Sequence, residues 1–203
     1  MKIKMQFPHG YQNIIKMRLA DFVIKFLEEK KIDTVFTVSG GGSIFLCDAL
    51  YKSKKLKYIA CHHEQAVSYA AESYSRAKNK PGAAIVTTGP GGTNCASGVA
   101  CCWIDSVSTI FISGQVFLNQ TIGNSGLRQV GVQEFDIVNM VKSSTKYAVT
   151  IKNPNEIKTI NDQTKKEYGP FEKKEEAENL ARSLIQKNID DFSVNFFNFL
   201  KKF

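Results

Sequence analysis

The sequence predicts an α/β fold: a doubly wound parallel sheet with helices on both faces, followed by a C-terminal helical tail. Three observations carry this. Short, continuous apolar runs recur at residues 34–38, 56–60, 83–87, 107–113 and 147–151, and strands apolar on both sides belong to a parallel sheet covered by helices. Segments with apolar residues three and four apart alternate with those runs. Glycine-rich turns stand where a run hands over to a helical segment. The 203 residues suffice for one domain of ordinary size and a short appendage.

Taken in order, residues 1–16 read as a leader. Leu19, Phe22, Val23, Phe26 and Leu27 make residues 17–31 an amphipathic helix. Residues 34–38 are a buried strand, Ser39-Gly40-Gly41-Gly42-Ser43 a turn, and residues 44–51 a second helix. The strand at 56–60 runs into Cys61-His62-His63-Glu64, and Glu64 opens a helix with Ala66, Val67, Ala70, Ala71, Tyr74 and Ala77 on one face. Pro81-Gly82 stops it. After the strand at 83–87 comes Gly89-Pro90-Gly91-Gly92-Thr93-Asn94, then a small-residue helix to about Cys102. A strand at 107–113, a polar loop at 119–128, a helix at 133–141 and a strand at 147–151 follow. The domain spans residues 17–157. Residues 158–203 form a separate tail, with a charged helix at 172–188. Phe192, Phe196, Phe199 and Phe203 are spaced as one stripe of a last helix, expected to pack on the domain.

Composition excludes several function classes. The net charge of +8 is moderate and scattered, with Lys52, Lys54 and Lys55 the only dense knot, whereas a nucleic-acid protein gathers basic and aromatic residues on one face. Five cysteines without paired spacing read as reduced thiols of a cytoplasmic protein. Cys61, His62 and His63 alternate in direction along a strand and converge poorly on one ion, so no metal site is expected. No apolar run approaches a membrane span.

The ligand edge follows from position. In open α/β sheets ligands bind beyond the carboxyl ends of the strands. Glu64 and both glycine turns stand there. Such turns let backbone approach a ligand closely, yet neither fits a nucleotide fingerprint: Phe45 and Asn94 occupy the positions where G-x-G-x-x-G needs its last glycine.

Together these segments resemble a known family. His63-Glu64-Gln65-Ala66, Ala70-Ala71-Glu72-Ser73-Tyr74-Ser75-Arg76-Ala77 and Thr87-Thr88-Gly89-Pro90-Gly91-Gly92-Thr93-Asn94 are similar to the pyrimidine-binding domain of thiamine diphosphate enzymes of the acetolactate synthase group. Ser113-Gly114-Gln115 and Gln133-Glu134-Phe135-Asp136-Ile137-Val138 extend the match. The resemblance implies that the Glu64 carboxyl hydrogen-bonds N1′ of the cofactor's pyrimidine. It thereby favours the imino form of the 4′-amino group, which removes the C2 proton. A 2-keto acid such as pyruvate is then decarboxylated and its carbanion adds to a second carbonyl, chemistry the cofactor carries and the protein orients. Gln133 matches the family's active-site glutamine. Ser39, Gly40, Gly41, Thr87, Pro90 and Asn94 match positions around the cofactor, although Ser39 stands where the synthases usually carry proline.

The resemblance also implies a second domain that binds the diphosphate through Mg2+ and a Gly-Asp-Gly…Asn motif. No Gly-Asp-Gly occurs in this sequence, and no middle domain of the kind that binds FAD fits in it. Two readings follow: one subunit of a split enzyme acting with a diphosphate-binding chain, or a truncated, non-catalytic fragment. Either is expected to form a homo-oligomer or a hetero-assembly through an apolar face around the Glu64 helix and the Gly91–Cys102 segment.

Overall fold

The computed structural model describes residues 18–151 and the backbone of residues 192–199. The leader at 1–16 and the charged segment at 172–188 lie outside the described residues. The chain order is α1 (Leu19–Glu29), β1 (Thr34–Thr37), α2 (Ile44–Lys52), β2 (Lys57–Ala60), α3 (Glu64–Lys78), β3 (Gly82–Val86), α4 (Pro90–Thr93), α5 (Ala96–Ile104), β4 (Thr109–Phe117), α6 (Ile137–Val141), β5 (Tyr147–Ile151) and β6 (Phe192–Phe199). One turn of 3₁₀ helix, Gly41–Ser43, leads into α2, and others follow β4 and α6.

The sheet order is β2-β1-β3-β4-β6-β5. The first four strands are mutually parallel, as the continuous apolar runs predict. Their side chains alternate between two cores. Val35, Ala83, Ile85, Ile110 and Ile112 pack with α1 and α2, whereas Phe36, Ala84, Val86 and Phe111 pack with Val67, Ala71, Val99 and Cys102 of α3 and α5. Helices therefore cover both faces, and every strand-to-helix turn on the C-terminal side opens on one edge.

The tail differs from the expectation. Residues 192–199 are a strand, antiparallel to both β4 and β5, rather than a helix. The sequence Phe-Ser-Val-Asn-Phe-Phe-Asn-Phe carries apolar residues at both helical and alternate spacing, so periodicity alone leaves it ambiguous. Two strand edges with unpaired backbone groups decide it, because each buried N–H and C=O needs a partner. Phe203 lies outside the described residues.

Other boundaries moved by a few residues. The strand expected at 107–113 runs from Thr109 to Phe117. The helix expected from residue 133 begins at Ile137, where Asp136 Oδ1 accepts the Asn139 N–H at 3.0 Å as its cap. The helix expected from Gly91 to Cys102 is split, the ladder shortening to a Cys95 N–H to Gly92 C=O bond between α4 and α5.

Helices α3 and α5 approach closely. A Cβ on Gly98 would stand 2.3 Å from Ser68 Oγ and 2.4 Å from Ser68 Cβ, nearer than packed atoms allow. Gly98→Ala is therefore expected to destabilise the fold by about 1–3 kcal/mol through overpacking, read as a lower midpoint in urea with unchanged slope. No helix among the described residues is long and apolar enough to cross a membrane.

Candidate functional site

Glu64 is the first residue of α3, directly after the turn that leaves β2. His63 caps the helix: its Nδ1 accepts the Gln65 N–H at 3.1 Å, an orphan donor of the first turn. Acidic charge at this end is favoured by the helix dipole. The Glu64 carboxylate is half-buried. Its Oε2 accepts Asn94 Nδ2 at 2.9 Å, while Oε1 accepts no hydrogen bond among the described residues. Oε1 faces Gly91, where a Cβ would stand 3.5 Å from it and 2.8 Å from Thr87 Cγ2.

Beneath Glu64 lies a thiol that sequence reasoning overlooked. Cys95 is fully buried and its Sγ approaches the Glu64 backbone oxygen at 3.5 Å and the Gly91 oxygen at 3.7 Å. Burial, then the neighbouring Glu64 carboxylate, push its pKa up to about 12. The group is a neutral donor, not a nucleophile.

The two glycine turns press on each other through consecutive threonines. A Cβ on Gly40 would meet Thr87 Oγ1 at 2.6 Å, and one on Gly42 would meet Thr88 Oγ1 at 2.6 Å. The Gly42 N–H donates to Thr87 Oγ1 at 3.1 Å, and Ser113 Oγ donates to the Thr87 carbonyl at 2.9 Å. The ends of β1, β3 and β4 thus converge on Thr87 and Thr88. Gly41 is exposed, with nothing within 4 Å of where its Cβ would be. Ser39 and Pro90 are exposed too, Pro90 as the first residue of α4.

Gln133 stands on the far side of this turn. Its backbone is left-handed, with φ +61°, and Gly89 opposite has φ +53°. A Cβ on Gly89 would fall 2.0 Å from the Gln133 carbonyl oxygen, so only glycine admits Gln133 there. A left-handed glutamine costs about 1–2 kcal/mol relative to ordinary backbone. Gln133 lines a cavity of about 290 Å³ with Gly41, Gly42, Thr88, Gln115 and Val132.

The expected site residues therefore fall in two neighbouring groups. Glu64, Asn94, Thr87 and Gly40 lie on one side of the β3–α4 turn; Gln133 and Gly41 lie on the other. Glu64 does not line the Gln133 cavity. Gly91, Thr88, Gln115 and Cys95 belong to these groups and were not singled out by sequence. The motif Thr87–Asn94 contains two of them, and alternate positions after Ser113 could have pointed to Gln115.

Comparison with known proteins gives the family. Residues 17–140 match the family described as thiamine pyrophosphate enzyme, N-terminal TPP binding domain. The chain is 37% identical over 141 residues to acetolactate synthase 3, chloroplastic, of Brassica napus, covering 70% of this chain and 21% of that protein. The probable acetolactate synthase large subunit of Methanocaldococcus jannaschii is 37% identical over 141 residues, covering 70% and 23%. The mitochondrial acetolactate synthase catalytic subunit of Saccharomyces cerevisiae is 33% identical over 133 residues, covering 66% and 18%. The chain thus spans about one-fifth of the length of the curated relatives it matches. The match takes in the turn from β2 to α3, both glycine turns and the Gln133 loop, and the chain belongs to the thiamine pyrophosphate enzyme family, as its N-terminal TPP binding domain.

Proposed function

We propose that this chain holds the aminopyrimidine half of thiamine diphosphate against Glu64. It does so as one subunit of an acetolactate synthase-like enzyme that decarboxylates a 2-keto acid and joins the product to a second carbonyl. The observation that carries the reading is the Glu64 carboxylate with one oxygen held and one open. Asn94 fixes Oε2, and the missing side chain of Gly91 leaves space before Oε1. That donor set fits a ring nitrogen that shares a proton with a carboxyl group. When bound, the cofactor supplies the carbanion-stabilising chemistry.

The chain's own residues then divide the work. Glu64 holds or yields a proton at Oε1, and Asn94 keeps its carboxylate from turning away. Thr87, Gly40 and Pro90 shape the wall on which the pyrimidine lies, with Ser39 and Gly41 at its rim. Gln133, across the β3–α4 turn, faces the reacting carbon and the keto acid. The diphosphate and its Mg2+ are held by a partner chain carrying Gly-Asp-Gly…Asn. Exposed Tyr69 on α3 and Trp103 and Ile104 at the end of α5 support an assembly surface next to the site, Ile104 being 76% exposed.

Gly91→Ala is expected to keep the fold and lower cofactor affinity about tenfold, because the new methyl displaces Thr87 and crowds Oε1. Isothermal calorimetry on the folded variant, mixed with a diphosphate-binding chain, reads this directly. The wider reading is tested by titrating thiamine diphosphate with Mg2+ into the chain alone and mixed with a diphosphate-binding chain. Tight binding only in the mixture is the expected result. No binding in any mixture, from folded protein, would mean a non-catalytic fragment of the family.

A further inference from the structure

The segment between β4 and α6 is long and largely exposed, yet one of its side chains gathers three backbone donors. Glu134 Oε1 accepts the Ile122 N–H at 2.6 Å. Oε2 accepts the Val130 and Gly131 N–H groups at 3.3 and 3.4 Å. A carboxylate is acceptor-only and takes several donors at once, which suits a turn presenting consecutive N–H groups. The start of the loop is thereby tied to its end. Gln129 Nε2 donates to the Gly131 carbonyl at 2.8 Å, and the Glu134 N–H donates to the same carbonyl at 3.2 Å.

The residue before Glu134 is the left-handed Gln133. The residue after it is also held: Gln115 Nε2 donates to the Phe135 carbonyl at 3.1 Å. Gln133's own carbonyl oxygen occupies the space that a side chain at Gly89 would fill. Strained backbone persists only where its surroundings over-determine it, and such places cluster at working sites. No core is closed by this arrangement, since residues 123–130, Val132 and Gln133 are exposed. What it fixes is the place and direction of Gln133 at the cavity mouth.

We propose that Glu134 is a positioning residue for Gln133. Its carboxylate folds the 118–131 loop onto itself and holds Gln133 left-handed at the cavity, so that Glu134 acts on the ligand only through Gln133. This rests on the reading of Gln133 as the glutamine that faces the keto acid.

The test compares the full-length, isotope-labelled chain with Glu134→Gln and Gln133→Ala. In Glu134→Gln the amide nitrogen faces donors and cannot accept them. The amide oxygen keeps one set of donors, so exchange protection is expected to fall about tenfold or more at the other set, either the Ile122 amide or the Val130 and Gly131 amides. The Gln133 Cα and Cβ shifts are expected to leave left-handed values. Sheet amides should stay unchanged and Tm within about 4 °C. Unchanged Gln133 shifts would overturn the proposal. So would losses spread through the sheet, which would mark a role in overall stability only. These readouts need no ligand, so they decide the matter even if cofactor binding fails. In a cofactor-loaded assembly, Glu134→Gln is expected to change keto-acid affinity no further once Gln133 is alanine; additive losses would also overturn it.

Discussion

Glu64→Gln is expected to slow exchange of the C2 proton of thiamine diphosphate in the assembled enzyme by about 10²- to 10⁴-fold, the usual range for loss of a positioned acid–base group. The substitution is nearly isosteric. The amide oxygen can still accept from Asn94 Nδ2, which now lies 2.9 Å from Oε2, so the turn and the start of α3 should persist. What is lost is the ability to hold a shared proton at the open oxygen above Gly91. Affinity should therefore fall much less than the exchange rate. Quenched-exchange proton NMR of the bound cofactor checks the rate, and calorimetry checks the affinity. A loss of affinity equal to the loss of rate would mean that Glu64 serves binding alone.

The second large effect concerns the sheet. Deleting residues 192–203 is expected to cost several kcal/mol and lower Tm by roughly 10 °C or more, at about 2–4 °C per kcal/mol for a chain this size. Strand β6 pairs along β4 from Thr109 to Phe117 and along the whole of β5. Among the described residues, β5 meets the sheet only through β6. Without it, both neighbours present unpaired N–H and C=O groups, a template for association with other chains. Thermal unfolding by circular dichroism, with light scattering for aggregation, measures both consequences. Because β5 follows α6, and α6 follows Gln133, the deletion should also disturb the cavity side of the site while leaving Glu64, on the opposite half of the sheet, in place.

These two cases mark what could be read in advance. The place of Glu64 at the start of α3 was legible because a local signal sets it: an apolar run, an acid, then a small-residue helix. The alternation of strands and helices made the parallel direction of β1 to β4 legible in the same way, but not their order across the sheet, β2-β1-β3-β4. The 192–199 strand was not legible, because its identity depends on edges formed by residues some 40 to 90 positions earlier and not on its own spacing. Gln133 was found by motif, but its left-handed backbone was not, because the cause lies in Gly89 and in the hydrogen bonds of Glu134. Gly91 stood in plain view within a glycine turn. Its use as open space before Oε1 emerges only once α3 and α4 are brought together.

The most direct test of the central claim is chemical-shift mapping of the labelled chain, with its diphosphate-binding partner, on addition of thiamine diphosphate and Mg2+. The account predicts that the largest shifts fall on Glu64, Thr87, Gly91 and Asn94, with Gln133 responding to the keto acid. It also predicts that Glu64→Gln, which still binds the cofactor, alters the size and direction of the shifts around residue 64 while the sheet spectrum stays intact. Shifts of equal size in wild type and Glu64→Gln, or shifts confined to surfaces away from the β3–α4 turn, would contradict it.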